Sequence, residues 1–332
     1  MSARPVHIIT GAAGFIGSNI AAALSAEADI VAVDWLDTDL RRRNLSGVGL
    51  ADIVPPEQCF DALAKIGDAA TAIIHMGAIS STTASNAGLV MQTNFDLPCR
   101  LWDWCARAGV PFFYASSAAT YGDGSHGFDD RDDPEHLSRL QPLNLYGWSK
   151  HLFDRWVADR VAGGGPSPPR WAGLKFFNVF GPNEFHKGPQ RSVALQLFEQ
   201  IARGEPVKLF ASDNPDYPDG GQKRDFVWIG DCVDIVRWFI EAPRKSGIYN
   251  GGSGMARSFS DLAECIFRAM DRPSAIQYVP MPEGLKTRYQ YFTCAKIEKL
   301  VAAGYSKPLT SLEEGTRRYV QDYLITHTAS GK

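Results

Sequence analysis

Tyr146 and Lys150 stand four positions apart in Tyr146-Gly147-Trp148-Ser149-Lys150. On a helix such a pair lies one above the other on a single face. A free phenol titrates at about pH 10 and is a poor base at neutral pH. A cation one helical turn away favours the phenolate and is expected to move that pKa down towards the working range. The pair can then take a proton from an alcohol while a neighbouring group accepts a hydride from the carbon. The same spacing is common in surface pairs, so its meaning depends on the elements around it.

Those elements begin with a short apolar strand, Val6-His7-Ile8-Ile9-Thr10, followed by Gly11-Ala12-Ala13-Gly14-Phe15-Ile16-Gly17. Ile16, Ile20, Ala23 and Leu24 then recur at helical spacing. Ile30-Val31-Ala32-Val33 reads as a buried strand ending in Asp34. Strand, glycine turn, helix, strand and terminal acid in this order are the setting of a dinucleotide fingerprint, here spaced G-x-x-G-x-x-G. The glycines let the backbone approach a pyrophosphate at a helix N-terminus.

Further strands are expected at 72–75, 112–115 and 171–177, with helices between them, one across 87–108. Alternation of this kind implies an α/β fold, a doubly wound parallel sheet covered on both faces. Ligands gather beyond the strand C-terminal ends in such sheets. Three of those ends carry small or polar residues, at 75–83, 116–122 and 178–182. Pro98 should kink or shorten the 87–108 helix, because it cannot donate to the Asn94 carbonyl. Residues 163–169 and 212–222 read as exposed loops. The stretch 226–229 with a helix over 231–241 reads as a return to the sheet, and 253–330 as a mixed tail with a strand at 276–279.

The chain has 332 residues, 45% hydrophobic and 21% charged, which allows a large core in one domain or two. A net charge of -3 with interspersed signs argues against a nucleic-acid partner. Six cysteines without a Cys-x-x-Cys pair suit reduced thiols in the cytoplasm. Seven histidines without ligand-like spacing give no expectation of a metal. The first residues lack the apolar core and cleavage site of a signal peptide. No apolar run approaches the roughly 20 residues that span a bilayer, so no membrane partner is expected.

By its glycine turn, Ser117, Tyr146-x-x-x-Lys150 and C-terminal lobe, the chain resembles the extended short-chain dehydrogenase/reductases, the NAD-dependent epimerase/dehydratase family, over essentially its whole length. The resemblance implies a Rossmann domain over 1–178 and 226–252 that binds NADP. A smaller mixed α/β substrate-binding lobe would take 179–225 and 253–332. Ser117 is implied to hydrogen-bond the reacting oxygen, and Lys150 to contact the nicotinamide ribose.

Within that family the nearer likeness is to the branch that inverts C6″ of an ADP-activated heptose for lipopolysaccharide core synthesis. It is carried by Ser80-Ser81-Thr82-Thr83, by 114–122, by Phe177-Asn178-Val179, by Lys223-Arg224-Asp225-Phe226-Val227 and by Arg288-Tyr289-Gln290. His186-Lys187-Gly188 is its most discriminating element. The likeness implies Tyr146 and Lys187 as the two acid/base groups. Cofactor contacts are implied for Gly11, Gly14, Phe15, Ile16 and Gly17, then for Asp34, Trp35 and Arg41. Met76, Gly77, Ala78, Asn94, Lys150, Val179 and Lys187 complete that set. Ser80, Ser117, Asn178, Phe210, Arg224 and Tyr289 are implied to contact the nucleotide-sugar, and the assembly is implied to be a homo-oligomer, a homopentamer.

The implied reaction oxidises C6″ to an aldehyde, turns it over and reduces the opposite face, with one bound nicotinamide holding the hydride in between. The oxygen occupies two positions and so needs two proton-exchanging groups. A lysine does this best when desolvation or a nearby cation lowers its pKa. Lys187 has a second reading as a phosphate-binding cation. Arg224 suits a diphosphate, since a guanidinium grips phosphate oxygens in a fork. Tyr289 fits core packing equally well, and Trp102 and Trp104 read as core or subunit-interface residues.

The chain departs from the family's usual pattern in three places. Trp35 follows Asp34, Met76 stands where many relatives carry an acid, and the 212–222 loop is longer than usual. Cofactor choice pulls two ways: Asp34 favours NAD by binding a ribose 2′-hydroxyl, whereas Arg41 offers a cation to a 2′-phosphate. NADP is the expectation and NAD the alternative. Other readings are a UDP-hexose 4-epimerase, a 4,6-dehydratase and a non-catalytic nicotinamide redox sensor. Ala118-Ala119-Thr120 lacks the acid/base pair of a dehydratase, and a sensor has no need of an intact Tyr and Lys.

Overall fold

The computed structural model describes residues 4–241, 243–286 and 289–329; Arg288 lies outside them. Twelve strands are described: β1 Val6–Thr10, β2 Asp29–Val33, β3 Leu50–Val54, β4 Ala70–His75, β5 Phe112–Ser117, β6 Trp171–Phe176, β7 Asn178–Phe180, β8 Val207–Phe210, β9 Lys223–Trp228, β10 Gly247–Gly251, β11 Ala256–Ser258 and β12 Ile276–Val279. Seven form one sheet in the order β10-β6-β5-β4-β1-β2-β3, parallel throughout. Strand order reverses between β1 and β4, so the crevice beyond their C-terminal ends is the topological switch point. β1, β2, β4 and β5 read as apolar runs because helices cover both faces. Ile9, Ile30, Ile73, Phe112 and Leu174 are wholly buried there, and truncating such a residue to alanine costs about 2–5 kcal/mol.

A second core is built from Leu195, Val207, Leu262, Ile266 and Tyr319, around two small sheets. In one, β9 lies between β7 and β11; in the other, β8 pairs with β12. The strand at 226–229 was therefore expected in the wrong sheet: β9 pairs in parallel with β7, and β10 is the strand that returns to the central sheet beside β6. Residue 229 already begins the Ile229–Glu241 helix. The 171–177 strand is likewise broken at Phe177, after which Asn178–Phe180 joins β9.

Pro98 does not break its helix. A π-helical turn at Gln92–Asp96 precedes it and absorbs the missing hydrogen bond, so the chain runs helically from Ala87 to Ala108. Trp102 is wholly buried, donating its indole N–H to Pro166 O at 3.1 Å, which makes it a core residue. The 212–222 loop is exposed only in part. Gln222 is buried, the Asp213 N–H donates to the Tyr291 hydroxyl at 3.2 Å, and the Tyr217 ring packs 5.3 Å from Tyr291.

Candidate active site

The glycine turn leaves β1 and meets the loop after β4. Gly11 has φ +66°, and a Cβ there would stand 2.5 Å from Gly77 Cα. A Cβ on Gly17 would stand 2.1 Å from Gly11 O. Two backbones thus touch where only glycine fits. The Phe15–Leu24 helix starts here, and its Gly14 N-cap supplies no side-chain hydrogen bond. Its first amides are left facing the crevice, which suits a pyrophosphate.

Asp34, at the end of β2, is more occupied than its sequence position suggests. One carboxylate oxygen accepts Ala13 N at 2.8 Å; the other accepts Trp35 N at 2.8 Å and Arg41 Nη1 at 2.9 Å. Burial pushes its pKa up, and the Arg41 guanidinium is the largest opposing influence. The Asp34 carboxylate therefore holds the glycine turn and Arg41 together. Trp35 is 46% exposed and donates its indole N–H to Glu57 at 2.9 Å.

After β4, the N–H of Met76 donates to Thr10 O at 3.0 Å, and Gly77 and Ala78 line the crevice half-buried. Asn94 lies just behind this loop. It is wholly buried, exchanges hydrogen bonds with both Ile79 N and Ile79 O, and donates to Ser149 Oγ at 2.9 Å. Its amide fastens the loop after β4 to the helix that carries Tyr146.

That helix, Leu145–Ala162, is capped by Asn144, whose Oδ1 accepts Gly147 N at 2.9 Å. Tyr146 is half-buried, whereas Lys150 is buried. The expected lowering of the phenol is not found: burial holds Tyr146 above its usual value, opposed by a hydrogen bond with Ser117. Lys150 is itself drawn down to about 8 by burial, with Asp154 opposing. In this protein desolvation of the phenol outweighs its hydrogen bond with Ser117. Ser117, at the end of β5, accepts Ala119 N at 3.1 Å, and its side chain is half-buried.

Lys187 follows β7, in the short helical turn Phe185–Gln190, half-buried, with its ammonium 5.3 Å from the centre of the Phe15 ring. Burial lowers its pKa and Glu184 opposes. Asn44 straps this loop to the glycine turn: its Nδ2 donates to Ala13 O at 2.9 Å and to Asn183 O at 3.0 Å, and lies 3.1 Å from His186 Nδ1. Asn19 Nδ2 adds a bond to Pro182 O at 3.0 Å. Val179, on β7, is half-buried and Asn178 exposed.

In the smaller lobe, the Arg224 guanidinium lies 5.2 Å from the Tyr289 ring centre, and Phe210 meets Tyr289 edge-on at 6.2 Å. Ser80 is exposed, and its neighbour Ser81 accepts from Gln190 Nε2 at 2.5 Å. Sequence reasoning missed Asn44, Glu184, Asp154 and Lys175. Asp154 had a readable signal, since Tyr146, Lys150 and Asp154 recur every four positions. Lys175 had another, as a lone charge within an apolar strand.

A glycine turn at the switch point of a parallel sheet, with Ser117 at the end of the neighbouring β5 and Tyr146 and Lys150 on the helix that follows, marks a nicotinamide-dependent enzyme; that is the class the fold and site define. The chain belongs to the NAD dependent epimerase/dehydratase family, whose model matches residues 7–252. It is 44% identical over 326 residues to ADP-L-glycero-D-manno-heptose-6-epimerase of Nitratidesulfovibrio vulgaris strain DP4, covering 96% of this chain and 98% of that one. It is similar to the crystal structure of the Helicobacter pylori enzyme of the same name, with TM-score 0.78, 28% identity and 96% of each chain covered. UDP-glucose 4-epimerase of Thermus thermophilus, solved with NAD, matches with TM-score 0.74 and 25% identity, over 95% of this chain and 97% of that one.

Proposed function

We propose that the protein is an epimerase acting at C6″ of an ADP-activated heptose, converting ADP-D-glycero-D-manno-heptose to its L-glycero epimer with a tightly held nicotinamide cofactor. The observation that carries the reading is Lys187, brought from the second lobe to the head of the dinucleotide-binding helix, beside Phe15. An ordinary dehydrogenase needs one proton-exchanging group, whereas inversion through an aldehyde needs one on each side of the carbon. Likeness to the 6-epimerase at 44% identity, against 25% for the 4-epimerase, supports the same choice.

The glycine turn, Asp34 and the loop after β4 are the residues to hold the dinucleotide. When bound, the nicotinamide supplies a reversible store for one hydride. Tyr146 exchanges the proton of the C6″ oxygen in one orientation, with Ser117 donating a hydrogen bond to that oxygen. Lys150 holds the nicotinamide ribose and lends positive charge to the phenol's surroundings. Lys187 exchanges the proton in the other orientation; its lowered pKa suits a lysine that must be neutral part of the time. Arg224 grips the diphosphate, with Tyr289, Phe210, Asn178 and Ser80 around the rest of the substrate.

The cofactor assigned is NADP. Arg41 faces the rim of β2, where a 2′-phosphate would replace Asp34 as its partner. A homo-oligomer in the cytoplasm goes with this reading, and among the described residues no helix is long and apolar enough to cross a membrane. Substrate deuterated at C6″ tests the route. Product that keeps its deuterium in ordinary water supports storage and return of one hydride, and washout of the label contradicts it.

A further inference from the structure

Behind Ser117, Tyr146 and Lys150 lies an ion pair that none of these roles uses. Asp154 and Lys175 are wholly buried, with Lys175 Nζ 3.1 Å from Asp154 Oδ2. The same oxygen accepts the Ser116 hydroxyl at 2.7 Å, and Oδ1 accepts the Tyr114 hydroxyl at 3.1 Å. Lys175 donates to Thr120 Oγ1 at 2.6 Å, and Thr120 in turn donates to Ser117 O at 2.8 Å. Ser117 is thus held from both sides, through Ser116 before it and Thr120 after it. Both lines end on one ion pair.

Asp154 also continues the face of the helix that carries Tyr146 and Lys150, one turn further on. Ion pairs of this kind are a poor source of stability, because taking two charges out of water offsets most of their attraction. Placement, rather than stability, is what distinguishes this one.

We propose that Asp154 and Lys175 are positioning residues for the reaction: together they fix Ser117 beside Tyr146, and Asp154 sets its carboxylate one helical turn beyond Lys150. The inference rests on the reading of Lys150 as a working cation. Burial draws Lys150 down to about 8, and Asp154 is the charge that opposes this. The other titratable groups around Lys150 and the pair are Tyr146, Tyr114 and Tyr121, phenols that burial holds above their usual value; His151 on the same helix, drawn down to about 4 by burial; His75 at the end of β4; and Lys175 on β6. His75 is held down to about 3 by burial and by Lys150 itself, so it is uncharged at neutral pH. Lys175 is drawn down by burial and supported by Asp154.

The test uses the holoenzyme and three variants, Asp154→Asn, Lys175→Met and the double variant, with turnover and cofactor affinity followed from pH 6 to pH 10. Losing the carboxylate lowers the pKa of Lys150 further, so the alkaline limb of Asp154→Asn moves to lower pH by about one unit. Lys175→Met keeps the carboxylate, and its limb does not move down. The double variant removes both members of the ion pair together and so leaves neither of them buried without the other; its limb also moves down, because the carboxylate is the partner that acts on Lys150. Variants with lower melting temperatures but limbs at the wild-type pH would overturn the proposal. A wild-type profile with no alkaline limb would overturn both this proposal and the reading of Lys150 beneath it.

Discussion

Lys187 Nζ stands 5.3 Å from the centre of the Phe15 ring, although the two residues come from different sheets' connections and lie 172 positions apart in the sequence. Phe15 opens the helix that follows the glycine turn, so Lys187 stands at the head of that helix, and the proposed function gives it the second proton-exchanging role. If that placement is catalytic, Lys187→Ala lowers kcat by a factor of about 10²–10⁴ with the fold intact. Near-normal kcat with a raised KM would reduce Lys187 to a phosphate-binding cation.

Cofactor preference follows from the Arg41–Asp34 contact. Oxidised NADP should bind more tightly than oxidised NAD, and Arg41→Ala should weaken NADP binding by about tenfold, the loss of one charge-assisted hydrogen bond. Titration of the cofactor-free protein measures both constants. Equal or tighter binding of NAD by the unmodified protein would reverse the assignment.

Acid should destabilise the protein through its buried imidazoles. His75 is held down to about 3, and His151 and His186 to about 4, chiefly by burial. Each is neutral when folded and gains a proton near pH 6.5 when unfolded. The stability they contribute is complete above about pH 6.5 and is lost as pH falls towards those folded values. Melting temperature should therefore drop steadily between pH 6.5 and pH 4; a flat profile over that range would contradict the burial of these rings.

His151 offers a sharper version. Its ring is wholly buried against Trp148, and neither nitrogen has a hydrogen-bond partner among the described residues. Replacing a buried polar group that lacks a partner with an apolar ring of similar shape removes a desolvation cost. His151→Phe should stabilise the protein by about 1–2 kcal/mol, read by denaturant unfolding at pH 7, and should soften the acid sensitivity. Destabilisation by a similar amount would show that the ring nitrogens are satisfied.

Much of the dinucleotide end was legible in the sequence, because strand, turn and helix there are contiguous and each glycine answers a local contact. Tyr146 and Lys150 do fall on one helix, Leu145–Ala162, as their four-residue spacing supposes. What was not legible depends on distant partners. β9 resembles a core strand by composition, yet its register with β7 and β11 puts it in the second lobe. The direction of the Tyr146 shift is set by how much of the ring is desolvated, which spacing alone does not reveal. Asn94 is a polar residue on a helix like any other until its amide is seen to close on Ile79 and Ser149. Pro98 does not shorten its helix, because a π-helical turn before it takes up the missing donor.

Tyr146→Phe, which keeps the ring and removes the proton-exchanging oxygen, should leave cofactor content unchanged and lower turnover by a factor of about 10²–10⁴. Undiminished turnover would move the acid/base role elsewhere.

The central claim is inversion at one carbon, and it is measured most directly by incubating the protein, as purified and without added cofactor, with ADP-D-glycero-D-manno-heptose and following the sugar by NMR. The account predicts conversion at C6″ to a mixture containing the L-glycero epimer, with no net consumption of cofactor. An unchanged C6″ in a preparation shown to contain bound nicotinamide would contradict it.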